Sequence, residues 1–232
     1  LIIPTGLGLI FDLDGVVVDS MPVHAIAWER YLDSLGLPSG DLAHRMHGRR
    51  NDEIVRGFLG SAADPQVVEE HGAAKERLFR EIIGERLHDH LVPGIEEFLG
   101  LVKGMPVAIA SNAERPNIDF VLDQSGLRGY FEHIVDGSQV THPKPAPDVY
   151  RKAADLLNLP PSRCVVFEDS DVGVTAAKTA GCRVIGIQTH PAALESAAHQ
   201  VEFSVANFRS PALLESLGRL LQEMADTDGV HA

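Results

Sequence analysis

The sequence predicts an α/β fold: a parallel sheet with helices on its faces, and a helical domain inserted after the first strand. Three observations predict it. Short, near-continuous apolar runs recur along the chain, as in parallel strands covered on both faces. Stretches of helical periodicity separate them, with proline near helix starts and glycine just past helix ends. Between residues 19 and 90 the alternation stops and only helical spacing remains. The 232 residues therefore read as a core, 1–18 with 91–232, and a helical insert, 19–90.

The elements follow in order. Leu7–Phe11 is the first strand. In the insert, Ala25, Trp28, Tyr31, Leu32 and Leu35 lie at helical spacing, then Ile54, Val55, Phe58 and Leu59, then Val67, Leu78, Ile82 and Ile83. Gly36–Gly40 is a turn within it, and Pro93-Gly94 marks the return to the sheet. Strands are expected at Val107–Ala110, Cys164–Phe167 and Arg183–Ile187, with a weaker one at Phe203–Val205. Helices are expected from Pro116 to Gly126, from Pro147 to Leu157 and from Val172 to Ala180, the last stopped by Gly181. The tail from Asp226 to Ala232 is expected to fray.

Composition narrows the function. Lys plus Arg is 20 and Asp plus Glu is 33, a net charge of −13. That argues against nucleic-acid and anionic-membrane partners, which select basic surfaces. It leaves room for an anionic small molecule, because a cation inverts the field of one cleft. Cys164 and Cys182 flank apolar runs and lie outside any CxxC, so they read as buried, reduced thiols of a cytoplasmic protein. Leu1–Gly6 has no basic region or cleavage site, so no secretory signal is expected, and no apolar run approaches membrane-spanning length.

Four motifs carry chemistry. In Phe11-Asp12-Leu13-Asp14-Gly15 two carboxylates follow a buried strand, one residue apart. Their mutual repulsion calls for a cation or a shared proton, and a hard cation such as Mg2+ suits oxygen ligands. The two acids could instead divide labour as nucleophile and proton donor, or form a plain solvated turn. Ser111-Asn112 ends another strand, where a hydroxyl and the N–H groups of a helix start suit a phosphate oxygen or simply cap the helix. Lys144, braced by Pro143 and Pro145, could neutralise a carboxylate and a phosphate together. Glu168-Asp169-Ser170, with Gly173 downstream, repeats the pattern of strand and then carboxylates. It completes a cation site with Asp12 or opens a helix whose dipole favours acids. Each motif alone has a structural explanation. All four fall at or beyond strand ends, which is where open α/β sheets bind ligands.

In this order, DxDGV, Ser-Asn, Lys-Pro and Glu-Asp-Ser with a downstream Gly, the motifs resemble the haloacid dehalogenase-like hydrolase superfamily. The resemblance runs from about Leu7 to Phe208 and is greatest for the branch with a helical cap, which includes β-phosphoglucomutase and small-molecule phosphatases. It implies a Rossmann-like core with an α-helical cap. It implies Asp12 as the nucleophile that becomes an aspartyl phosphate, and Asp14 as general acid and then base. Ser111 and Asn112 would bind the phosphoryl group, and Lys144 would offset charge. Mg2+ would be held by Asp12, Asp169, Glu168 and Asp14, the last through its backbone carbonyl. A dehalogenase of the same superfamily lacks the second acid, so Asp14 favours phosphoryl transfer.

In the insert, His24 and Trp28 occupy places like those of a His and a Trp in β-phosphoglucomutase. His24 is expected to sense cap closure or contact Asp14, or else to be a half-buried helix histidine. Arg49, Arg50 and Lys75 are expected as cap cations that hold a second anionic group of the substrate. Gly48-Arg49-Arg50-Asn51-Asp52 departs from the mutase pattern, and the mutase-like Lys after Ser111 is missing. His88-Asp89-His90 lacks partners at zinc spacing and reads as a polar hinge. The reading is a Mg2+-dependent phosphatase of a small phosphorylated metabolite, a sugar or polyol phosphate. The alternatives are a hexose-phosphate mutase and, less favoured, a phospho-aspartate receiver-like switch. Receivers are short and capless, whereas this chain spends about 70 residues on an insert.

Overall fold

Hydrogen bonding joins the apolar runs into one six-stranded sheet, parallel throughout, in a computed structural model that describes residues 6–40 and 51–226. The strands are β1 (Gly8–Phe11), β2 (Val107–Ala110), β3 (His133–Val135), β4 (Cys164–Glu168), β5 (Arg183–Ile187) and β6 (Phe203–Val205). Their spatial order is β3-β2-β1-β4-β5-β6. Every residue of β1, β2 and β4 is buried, which is why those strands carry apolar side chains at successive positions.

The helices are α1 (Met21–Ser34), α2 (Asn51–Leu59), α3 (Pro65–Gly84), α4 (Leu87–His90), α5 (Ile95–Leu101), α6 (Arg115–Gln124), α7 (Asp148–Leu156), α8 (Asp171–Ala180) and α9 (Ala212–Asp226). Punctuation explains several boundaries. Ser170 caps α8 by accepting from Gly173 N, and Gly181 ends it at φ +98. Asp64 caps α3 by accepting from Gln66 N.

The chain divides into two compact units, Leu1–Asp19 with Leu91–Ala232, and Ser20–His90. In the first, the sheet is the centre. Phe11 stacks on Phe167 at 4.6 Å, and Phe98 and Phe208 pack around that pair at 5.0–6.2 Å. The chain leaves and re-enters this unit at one place, where Val18 bridges Leu91 and Val92 N donates to Val17 O at 3.0 Å. The second unit is wholly helical among its described residues. Its core is Trp28, Leu32, Ile54, Val55 and Val68.

Besides α4, which falls where a polar hinge is expected, three elements are absent from the sequence reading. β3 has three residues, two only half-buried, too short to give a periodic pattern. α5 is a seven-residue helix directly after Gly94, whose φ of +87 sets its entry. α9 buries Leu213, Leu217, Leu220, Leu221 and Met224, a stripe the sequence carries plainly. In the insert the expected stripe needs correction: Leu35, Leu59 and Val67 are exposed, and Val68 rather than Val67 packs inside. Residues 227–232, expected to fray, lie outside the described residues.

Phe98 is 1% exposed and touches three other aromatic rings beside the sheet. Phe98→Ala should cost about 3–5 kcal/mol of stability, read from the shift of the urea midpoint.

Candidate active site

The strand order places the site. From β1 the chain proceeds to β2 on one side, whereas β4 leads to β5 on the other, so the loops after β1 and β4 diverge and leave a crevice at their carboxyl ends. Register sets what faces it. Phe11 pairs with Phe167, and Asp12 N donates to Phe167 O at 3.1 Å. Asp12 and Glu168 are therefore the next residues on neighbouring strands, with Asp169 one further. One carboxylate oxygen from each of Asp12, Glu168 and Asp169 lies within 4.8 Å of the others, and all three residues are buried.

Lys144 sits among them. Its Nζ donates to Asp12 Oδ1 and to Glu168 Oε1, both at 2.7 Å. The Lys144-Pro145 peptide is cis. Glu168 also accepts from Tyr150 OH at 2.6 Å through Oε1, and from Asp169 N, Ser170 N and Ser170 Oγ at 2.9–3.1 Å through Oε2. Five donors thus hold one buried carboxylate. Burial alone would raise its pKa, but Lys144 and these hydrogen bonds keep it below the ordinary carboxylate value. For Lys144 the attraction of Asp12 and Glu168 outweighs burial, and its pKa is raised.

Asp12 and Asp169 differ. Burial, with the charges of Glu168 and Asp14 adding to it, raises Asp12 to about 7 despite Lys144. Burial and the charges of Glu168 and Asp12 raise Asp169 well above its ordinary value. Three clustered carboxylates, with the charge of Asp14 nearby, stand against one ammonium. That surplus, on hard oxygen donors within a few ångströms, suits a divalent cation.

Backbone features keep the cluster tight. A Cβ on Gly173 would lie 1.7 Å from Glu168 Oε1, and one on Gly15 would lie 1.9 Å from Asp169 Oδ2. Ser111 and Asn112 follow β2 in a turn. Ser111 Oγ accepts from Ala113 N at 3.0 Å, and Asn112 Oδ1 accepts from Lys144 N at 3.1 Å, which ties this turn to the Lys144 loop. The helix begins only at Arg115, so the N–H groups expected beside Ser111 belong to the turn rather than to a helix start. Tyr150 is absent from the sequence reading. Its signal is a hydroxyl in the otherwise apolar buried stripe of α7, where a buried Tyr needs a partner.

A family model described as haloacid dehalogenase-like hydrolase matches residues 8–181. The chain belongs to this family. Over 187 residues it is 32% identical to fructose-1-phosphate phosphatase YqaB of Escherichia coli, covering 78% of this chain and 96% of that one. Over 185 residues it is 29% identical to the β-phosphoglucomutase of Bacillus subtilis, covering 77% and 82%. A solved HAD hydrolase of family IA, variant 3, from Entamoeba histolytica is similar at a TM-score of 0.78 and 25% identity, covering 87% of this chain and 93% of that one. No helix among the described residues is long and apolar enough to cross a membrane.

The helical unit of this haloacid dehalogenase-like hydrolase holds an ionic cluster of its own. Lys75, 1% exposed, donates to Glu76 Oε1 at 2.5 Å and lies 3.1 Å from His24 Nδ1 and 5.1 Å from the Trp28 ring centre. Asn51 Nδ2 also donates to Glu76 Oε1. His24 stacks on Phe79 at 3.8 Å. The structure therefore places Lys75 in a buried ion pair and Trp28 in the helical core. Arg49 and Arg50 lie outside the described residues. His88, Asp89 and His90 form the short helix α4, where Asp89 pairs with Arg86 at 3.0 Å.

Burial and the Lys75 charge push His24 down to about 3 from 6.5. Burial opposes the shift of Glu76, but Lys75, His24 and Asn51 hold it at about 2 against 4.5. Both groups resist protons in the folded state, so the stability they contribute is present above 6.5 and 4.5 and is lost as pH falls towards 3 and 2. Trp28, the sole tryptophan, reports this unit. The urea midpoint from its fluorescence should fall as pH drops below 6.5, and His24→Gln should flatten the upper part of that fall.

Proposed function

We propose that this hydrolase is a Mg2+-dependent phosphatase of a small sugar or polyol phosphate, working through a phosphorylated Asp12. One observation carries the reading: a buried carboxylate at a strand's carboxyl end, 2.7 Å from a buried ammonium, with a second carboxylate, Asp169, within metal-ligand reach. Such a group has its charge shielded and its position set before an anionic substrate arrives.

The all-carboxylate donor set fits Mg2+. Asp12 and Asp169 would hold it with the Asp14 carbonyl, while Glu168, already accepting five hydrogen bonds, would assist and anchor Lys144. The ion would supply further neutralisation of nucleophile and phosphoryl oxygens.

The remaining roles fall to the chain's own groups. The Asp12 carboxylate attacks phosphorus, and the bond to the substrate oxygen breaks as the Asp12 O–P bond forms. Asp14, protonated, gives its proton to the leaving oxygen. As a carboxylate it then takes a proton from water attacking the phosphoryl group, the Asp12 O–P bond breaks, and inorganic phosphate leaves. Lys144 offsets the charge on Asp12 and the phosphoryl oxygens, and Ser111 and Asn112 bind those oxygens. Likeness to a fructose-1-phosphate phosphatase supports a phosphorylated sugar or polyol as substrate. Likeness to a β-phosphoglucomutase supports the second reading, transfer to another hydroxyl of the same sugar.

Asp12→Asn should lower phosphate release from sugar and polyol phosphates by at least about a thousandfold. Chelation with EDTA should stop turnover, and Mg2+ should restore it. Glucose 6-phosphate forming from glucose 1-phosphate without free phosphate would favour the mutase, and full turnover by Asp12→Asn would overturn the role of Asp12.

A further inference from the structure

We propose that Thr189 is a positioning residue for Asp14, a role that rests on the reading of Asp14 as acid and base. Thr189 stands in the loop after β5, and its Oγ1 donates to the carbonyl of Gly15 at 2.7 Å, joining residues 174 apart in sequence. Gly15 directly follows Asp14. Its φ is +81, and Asp169 occupies the place where a Cβ would be. A side chain is thus excluded, and with it the usual steric restraint on the backbone. Hydrogen bonds take over that work. Gly15 N donates to Val18 O at 2.7 Å on one side of the residue, and Thr189 holds its carbonyl on the other.

The loop that carries Thr189 is itself anchored. Gln188 N donates to Val205 O at 2.9 Å, and Ala197 N donates to Asp171 Oδ1 at 2.8 Å in the first turn of α8. The next residue, His190, meets Asp19 Oδ1 at 2.8 Å, so consecutive residues grip both ends of the 15–19 turn. Thr189 therefore joins the Gly15–Val16 peptide, the next one along from the Asp14–Gly15 peptide, to β5, β6 and α8. Val16, Val17 and Val18 N also donate to Leu13 O, so the turn persists without Thr189; what Thr189 adds is a fixed Gly15 carbonyl, and proton transfer by Asp14 is sensitive to displacements well under an ångström.

The test uses the full chain, Mg2+ and 4-nitrophenyl phosphate. Nitrophenolate leaves without a proton, so phosphorylation of Asp12 from this probe does not need Asp14, whereas water attack on the phosphoenzyme does. Thr189→Val keeps the shape and deletes the donor, and Thr189→Ser keeps the donor. With Thr189→Val, turnover should fall about tenfold or more, acid-quenched phosphoenzyme should accumulate and the KM should not rise. Thr189→Ser should return turnover to within about threefold of wild type. If the valine variant folds poorly, Thr189→Ala is read by the same criteria. Turnover unchanged by loss of the donor, slower turnover without phosphoenzyme build-up, or a serine variant no better than valine would each overturn the assignment. A wild-type chain that never forms phosphoenzyme would instead overturn the reading of Asp12, and this role with it.

Discussion

Like charge crowded onto two neighbouring strand ends is the constraint on which the rest of the structure depends. Because β1 and β4 pair in parallel with Phe11 beside Phe167, the residues that follow are forced side by side, and they are acids. Repulsion between them does not decay in a buried site as it would in water. One buried ammonium, that of Lys144, answers it in part and leaves Asp12 and Asp169 with raised pKa values. Protons on Asp12 or Asp169, or a further cation, relieve what Lys144 leaves, and the donor set is one that could hold a metal ion.

The fold meets this constraint with rigidity below and hydrogen bonds around. Under the acids lie the stacked rings of Phe11 and Phe167, packed by Phe98 and Phe208. Around them, Glu168 is the fixed point. Its charge is held by Lys144, Tyr150 and the start of α8, and it in turn aims Lys144 at Asp12. Gly15 and Gly173 are where the backbone comes closest, and at each the missing side chain is what lets a carboxylate lie against the chain.

The helical unit follows a different logic. Its ion pair, Lys75 with Glu76, is sealed against Trp28, Phe79 and a neutral His24, so both charges are desolvated and each depends on the other. Removing either partner would strand the other, which makes this cluster a determinant of the unit's own integrity. The sequence shows Lys75 only as a cation on a helix. That its neighbour Glu76 lies on the same buried face follows from α3 turning both inward, and no spacing rule separates that from a solvated pair.

By itself the sequence determined the local structure: apolar runs long enough for buried strands, helix stops at Gly126 and Gly181, and acids placed after strands. Those features depend on neighbours along the chain, so periodicity and backbone preference suffice to read them. The α9 stripe was equally legible from Leu213, Leu217 and Leu221, whereas β3, opening on His133 beside Glu132, lacks the apolar start that marks the equally short edge strand β6 at Phe203. Tertiary structure alone decided which charges meet. Lys144 reaches Asp12 across 132 residues, and Thr189 reaches Gly15 across 174. Tyr150 closes on Glu168 only because α7 packs beside β1 and β2. Strand order and register set those distances, and both arise from the packing of the whole sheet rather than from any segment of it.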